Sequence, residues 1–356
     1  MKIGILTFHR ALNYGAILQC FAMKQFLKEE GYDVEVVDYR SPNIEKAYKL
    51  IKLQSFKEFV ASIIYLPFMV RAHRVFNSFR KDYLNVSKIT YRNTQDFDGQ
   101  YDACVMGSDQ VWSMRLNNGF DPIYWGNFDK NIRKVSYAAS MGTHKPFSEE
   151  ERITISKLIN NFDGVAVRER SLKEELDSFI DNKVEEVLDP TFLVDRTTYD
   201  NIAVKPKNEN YVLYYQQEYH SLSKTIVESV AKQLNCMVIV VTGPKEKYNI
   251  KYKYFNISNL TVPEFLGLFK YAKCVFTSSF HGTAFSIIFQ KDFYFLKNSG
   301  IDRAMNLLRN INLLERAIDS DSIIEFSQVD YIDPAEKLKE LRKKSKHYLL
   351  SHLHNK

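Results

Sequence analysis

The first forty residues restrict the fold more than any other stretch. The apolar run Lys2–Phe8 predicts a strand, the segment Gly15–Glu30 carries apolar residues at helical spacing and stops at Gly31, and Val34–Tyr39 predicts a second strand. Strand, helix and strand at this spacing make a βαβ unit, which commits the chain to a parallel sheet with helices packed on its faces. The loop His9-Arg10-Ala11-Leu12-Asn13-Tyr14 then falls at the edge of that sheet where ligands usually bind. It lacks the G-x-G-x-x-G spacing of a dinucleotide fingerprint, which argues against a bound dinucleotide.

The same pattern continues. Ala103–Met106, Val135–Ala139 and Gly164–Val167 predict further strands, and Ser148 with Glu151 predicts a capped helix start. After the turn signal at Asp189-Pro190 a second series begins. Strand Tyr211–Tyr215, helix Ser221–Leu234, strand Met237–Val241, the loop Thr242-Gly243-Pro244-Lys245 and helix Val262–Tyr271 come first; the segment 273–290, strand Phe293–Leu296 and a helix carrying Arg303 follow. A chain of 356 residues is long enough for two cores. The expected organisation is α/β: a first domain over 1–190 with a helical, basic and aromatic insertion at about 44–91, a second over 191–333, and an amphipathic helix over 334–356. Two domains imply a cleft.

Composition narrows the function classes. The chain is 45% hydrophobic and 26% charged, as in ordinary soluble proteins, and its first apolar run is far shorter than a secretory signal, so a cytoplasmic location is expected. Cys20, Cys104, Cys236 and Cys274 are scattered and read as core thiols, not a disulfide framework or a zinc site. No ligand cluster has metal spacing, so neither metal nor cofactor is expected. The net charge of +6 is regional: residues 41–92 hold ten Lys or Arg against Glu45, Glu58 and Asp82, a local +7. Without a recognised binding motif this modest excess does not indicate nucleic acid. Within that region the apolar run Phe59–Val70 is too short for a bilayer, which needs roughly 20 residues, though it suits a membrane surface or a partner as well as its own domain.

Three places carry chemistry. In Lys273–Gln290 an apolar run climbs to Thr277-Ser278-Ser279 and a helix starts after His281-Gly282-Thr283. Ser278 and Ser279 are N-cap candidates, the N–H groups of Gly282, Thr283 and Ala284 would meet an anion at the positive helix end, and His281 can exchange a proton beside it. A capped core helix with a surface histidine is the alternative. In Gly107-Ser108-Asp109-Gln110-Val111-Trp112, polar groups and an indole at a strand end have the composition of a sugar-contacting loop; a structural turn is the alternative. Arg168 stands at another strand end, where a guanidinium can take a phosphate or carboxylate or pair with Glu169.

Taken in order, Asn13-Tyr14-Gly15-Ala16-Ile17-Leu18-Gln19, Gly107–Trp112, Ser136-Tyr137-Ala138-Ala139-Ser140, Arg168-Glu169, Leu188-Asp189-Pro190 and Ser279-Phe280-His281-Gly282 resemble the motifs of the polysaccharide pyruvyltransferase family over roughly residues 1–310. The resemblance implies two Rossmann-like domains in a GT-B-like arrangement with an interdomain cleft. It also implies phosphoenolpyruvate as co-substrate and a glycan or lipid-linked sugar as acceptor, joined as a cyclic ketal in cell-surface polysaccharide biosynthesis. The resemblance also sets Arg168 and His281 against the donor, with His281 the expected catalytic acid and base. From the residues themselves, the donor is expected to meet Arg168 and the turn Ser278, Ser279, Gly282 and Thr283, with Arg303 and Lys245 as further cations, and the acceptor to meet Asn13, Tyr14, Asp109, Gln110 and Trp112. One departure stands out: many members carry arginine two residues before the histidine, where this chain has Ser279. A nucleotide-sugar glycosyltransferase of the same architecture and a non-catalytic glycan-binding assembly subunit are the two other readings.

Overall fold

In the computed structural model, which describes residues 1–97, 100–129, 131–142, 146–216, 223–242, 253–256, 259–297, 302–319 and 321–354, the chain builds parallel α/β structure throughout. It divides into two compact units. Met1–Lys49, Arg80–Val194 and Lys339–Lys356 make the first; Leu50–Phe79 and Asp195–Leu338 make the second.

In the first unit β1 (Lys2–Leu6), β2 (Asp33–Tyr39), β3 (Val86–Tyr91), β4 (Ala103–Met106) and β5 (Arg133–Ser136) form one parallel sheet, ordered β3-β2-β1-β4-β5. All four residues of β4 are buried, as a parallel strand covered on both faces requires. The helix Tyr14–Glu29 starts at Asn13, whose side chain accepts from the Ala16 N–H at 3.1 Å, and ends before Gly31, which has the positive φ of +87° that suits glycine at a helix end. β6 (Val165–Val167) and β7 (Val184–Glu186) pair with each other, and bridges from Val135 to Gly164 and from Ala139 to Val167 extend the pairing from β5. The tail helix Ile332–Leu353 falls in this unit from Lys339 onward. Tyr348 donates to the Ser136 carbonyl at 3.0 Å, the Leu188 N–H donates to Ser345 Oγ at 2.9 Å, and Leu349 and Leu353 are fully buried.

The stretch 44–91, expected to be helical, ends instead in a strand. β3 lies along β2 with Asp38 level with Thr90 and Tyr39 with Tyr91, because Val86, Ile89 and Thr90 are β-branched and fit a pleated edge. The stretch is also shared between units, since Leu50–Phe79 groups with the second. There the helix Leu66–Phe79 buries Ala72, Phe76 and Phe79 and packs against the helix Val262–Tyr271.

The second sheet contains β8 (Tyr211–Tyr215), β9 (Met237–Thr242), β10 (Lys253–Asn256), β11 (Cys274–Thr277), β12 (Asp292–Leu296) and β13 (Ala317–Ile318), in the order β10-β9-β8-β11-β12-β13. In both sheets the strand order therefore reverses between the first and fourth strands, β1/β4 in one and β8/β11 in the other. Such a switch point leaves a crevice at the carboxyl ends of the two strands, because the loops leaving them turn to opposite faces.

Candidate functional site

At the switch point of the second sheet, β11 rises through buried residues into Ser278-Ser279 and the helix Phe280–Ile288. Ser279 is the N-cap. Its Oγ accepts from the Gly282 N–H at 3.4 Å, its own N–H donates to Thr277 Oγ1 at 3.1 Å, and its carbonyl takes the Thr283 N–H at 3.0 Å and the Thr283 hydroxyl at 3.2 Å. Gly282 lies so close to β11 that a Cβ would sit 2.1 Å from Thr277 Oγ1, so only glycine lets the helix approach the strand. Two of the three N–H groups expected to cradle an anion, those of Gly282 and Thr283, are thus used inside the turn. Phe280 and His281 come first in the helix, ahead of the i→i−4 ladder and at its positive end. His281 is 5% exposed, its ring edge-on to Phe280 at 5.2 Å.

A residue that the sequence did not single out completes this edge. Tyr215 pairs in register with Thr277, so Gln216, one residue on, is level with Ser278. Gln216 is 2% exposed, and among the described residues neither its amide oxygen nor its amide nitrogen has a hydrogen-bond partner. A buried amide in that state is costly unless something binds it. The clue in sequence is a glutamine directly after an apolar strand, which gains meaning only from register. Arg303 is half-buried in the first turn of the helix Asp302–Asn310, which packs against Phe280–Ile288. Lys245 lies outside the described residues.

The switch point of the first sheet is built differently. Ser108, after β4, donates its hydroxyl to Asp189 Oδ2 at 3.0 Å, and its carbonyl accepts from the Thr7 hydroxyl at 3.1 Å; Gln19 in turn donates to Thr7 Oγ1 at 2.8 Å. Arg168, 4% exposed, donates to Asp189 Oδ2 at 2.7 Å and lies 3.6 Å from Glu169. Burial alone would lower its pKa, but the carboxylates of Glu169, Asp189 and Asp109 outweigh that and raise it. Asp189 also accepts from the Thr191 N–H and hydroxyl, at 3.0 and 2.9 Å. Arg168, expected at the donor, pairs here with carboxylates of its own chain. Asp189, expected to start a turn, is the hub they share.

The acceptor candidates divide by burial. Asn13, Asp109 and Gln110 are half-buried at the carboxyl ends of β1 and β4. Tyr14 is buried in the first turn of its helix. The reading of Trp112 as a sugar platform is corrected: the indole is wholly buried, stacked on Trp125 at 4.3 Å and 8°, with Nε1 donating to the Tyr124 carbonyl at 3.0 Å. Both ring faces are occupied by the core, so no sugar face reaches it. Asp109 and Gln110 keep part of their surface exposed, while Ser108 and Trp112 are buried.

A second buried charge cluster, also unflagged in sequence, sits beside the β1 loop. Asp38 accepts from Arg10 at 3.0 Å, Arg40 at 3.2 Å and Thr90 at 2.9 Å, and His9 Nε2 lies 3.3 Å away. Burial works to raise the Asp38 pKa, but the His9 and Thr90 hydrogen bonds and the Arg10 charge more than reverse it, holding the carboxyl well below its usual range. Burial lowers the His9 pKa despite its Asp38 neighbour. Burial pushes the Cys20 and Cys104 thiols up to about 12, which makes them inert. Among the described residues no three His, Cys, Asp or Glu side chains gather where a metal could be held.

With this geometry in hand, the chain can be compared with known proteins. Among solved structures it is similar to UDP-GlcNAc 2-epimerase from Methanocaldococcus jannaschii, at 13% identity and TM-score 0.46 over 96% of this chain and 92% of that one. It is similar to UDP-GlcNAc 2-epimerase from Neisseria meningitidis, at 10% and 0.47 over 100% and 95%, and to the glycosyltransferase SnogD from Streptomyces nogalater, at 10% and 0.42 over 98% and 96%. No curated protein sequence matches. The family model described as polysaccharide pyruvyl transferase matches residues 13–300, a span that includes Asn13, the Ser108 loop, Arg168, Asp189, Gln216 and His281. The chain belongs to the polysaccharide pyruvyl transferase family.

Proposed function

We propose that the protein transfers pyruvate from phosphoenolpyruvate onto two hydroxyls of a glycan or lipid-linked sugar, forming a cyclic ketal in the biosynthesis of a cell-surface exopolysaccharide. The observation that carries this reading is the polar edge at β8 and β11, where His281 leads a helix and the buried amide of Gln216 stands level with Ser278. A donor with a phosphate and a carboxylate suits it, because the helix start favours negative charge and an amide N–H has an anionic oxygen to bind. Gln216 offers a neutral substitute for the arginine that many members have in place of Ser279. Arg303 supplies positive charge from the neighbouring helix.

In this reading His281 protonates the methylene carbon of phosphoenolpyruvate, and the central carbon becomes cation-like. One acceptor hydroxyl adds there and gives up its proton. The C–O bond to phosphate then breaks, inorganic phosphate leaves, and the second hydroxyl closes the ketal as its proton departs. Of the two hydroxyl protons lost, one replaces the proton donated to carbon and the other leaves with phosphate, so the reaction consumes no cofactor. Asn13, Asp109 and Gln110 are the side chains assigned to the acceptor hydroxyls. We place the reaction in the cytoplasm, at the inner face of a membrane where the acceptor is lipid-linked.

The test mixes purified protein with phosphoenolpyruvate and a panel of glycans and lipid-linked sugars, following phosphate release and the ketal methyl resonance. Acceptor-dependent release with a new methyl signal is expected, and its loss in His281→Ala. Protection against heat by nucleotide sugars but not by phosphoenolpyruvate, with no turnover on any acceptor, would overturn it in favour of a glycosyl transfer.

A further inference from the structure

The helix Phe56–Ile64 is built the wrong way round for a helix of a soluble core. Phe56, Phe59, Val60, Ile63 and Ile64 recur at the spacing of one helical face, and that face is open: Phe56 is 83% exposed, Ile64 67% and Ile63 45%, with Leu53 just ahead at 76%. The side that is covered is polar. Ser62 is the buried residue, donating to the Phe59 carbonyl at 2.7 Å and accepting from the Lys52 N–H at 3.3 Å, and Glu58 is half-buried. The next helix shows what covering looks like. Leu66–Phe79 tucks Ala72, Phe76 and Phe79 against its unit, and Arg71 donates to Asn259 at 3.0 Å. One helix is thus anchored and the other is held out with its apolar face bare, across a bend of 65°.

We propose that Leu53–Ile64 is a membrane-docking element that inserts its apolar face into the surface of an anionic bilayer. Charge selects this occupant. Between Leu50 and Phe79 the chain carries Lys52, Lys57, Arg71 and Arg74 against Glu58 alone, so this stretch attracts a negatively charged surface whose headgroups can neutralise those cations. The helix Phe56–Ile64 by itself is too short to span. Nine helical residues cover roughly 13 Å against a hydrocarbon core of about 30 Å, and among the described residues no single helix is long and apolar enough to cross. The element lies in the interface, Phe56 and Ile64 pointing down and Lys57 and Arg74 reaching for headgroups.

Vesicle flotation of the full-length protein reads this contact without turnover, so it can fail while the transferase reading stands, and the reverse. The wild type is expected to float with phosphatidylcholine vesicles containing phosphatidylglycerol, less with phosphatidylcholine alone, and to be released by salt. The double variant F56D/I64D should lose binding by about tenfold or more, and K57E/R74E should lose only the preference for anionic lipid. Both variants should melt as the wild type does, because the replaced side chains are exposed. Absence of wild-type binding to either vesicle, or flotation unchanged in F56D/I64D, would overturn the assignment. So would a dimer in sedimentation that F56D/I64D abolishes while vesicles are ignored, since the patch would then belong to a second copy.

Discussion

The two sheets share a strand order up to their switch points and use those points in opposite ways. In the first, Arg168 and Ser108 both donate to Asp189, Thr7 and Gln19 extend that chain of hydrogen bonds, and Glu169 lies 3.6 Å from the arginine. In the second, the turn Ser278–Thr283 satisfies its own backbone, yet the adjacent Gln216 amide is buried with nothing among the described residues to bind. A buried arginine paired with carboxylates of its own chain supports the fold; a buried amide with no partner among the described residues is a place for a ligand. The carboxyl edge of a parallel sheet is thus a place where a site can be built, and hydrogen-bond accounting says whether one was.

Substitutions at the two edges should separate these roles. Arg168→Ala leaves Asp189 and Glu169 buried without their cation and should cost about 3–5 kcal/mol of stability, visible as a large drop in the denaturant midpoint. A melting curve close to wild type would show that the network is not structural and return Arg168 to the donor. His281→Ala should do the reverse, lowering turnover by about a hundred- to ten-thousand-fold with a small change in melting. If turnover persisted, the second edge would lose its catalytic role.

Acidification should affect the first unit in two stages. His9 has a lowered folded pKa, so it resists protonation in the native state, and stability should begin to fall as pH drops below about 6.5. Asp38, also lowered, contributes stability that is present above the unfolded carboxylate pKa of about 3.9 and is lost as pH falls through its folded value. Melting temperature measured across pH should show both stages in the wild type and a weaker lower one in Asp38→Asn. Gln216→Leu gives the smallest effect and sharpens the comparison most. Replacing an unmatched amide by an apolar side chain of similar size should leave stability unchanged within about 1 kcal/mol, while donor KM rises about tenfold or more. Equal KM with a large loss of stability would make Gln216 part of the core.

Much of this was legible beforehand. The strands Ala103–Met106 and Tyr211–Tyr215, the helix Val262–Tyr271 and the capped start at Ser148 fall where periodicity and capping predict, because each is decided by residues within a few positions of one another. The strand Val86–Tyr91 was not, since six residues beside a long helical pattern acquire strand geometry only from a partner, β2, about fifty residues earlier. The turn at Ser279–Gly282 was recognised as special from its residue types, and so was the Ser108 loop. Trp112 shows the limit: its composition fits a sugar-binding loop, but whether an indole faces solvent or Trp125 depends on a residue thirteen positions away.

The sequence alone determined the parallel α/β architecture, the family motifs and the types of residue gathered at the strand ends, since these rest on local periodicity, caps and short spacings. Tertiary structure decided which of those residues pair with one another. Asp189 claims Arg168, Thr277 explains Gly282, and the register of β8 against β11 brings Gln216 level with Ser278 from sixty-two positions away. Burial and pairing of polar groups depend on what long-range packing brings together, and no short window of sequence contains that information.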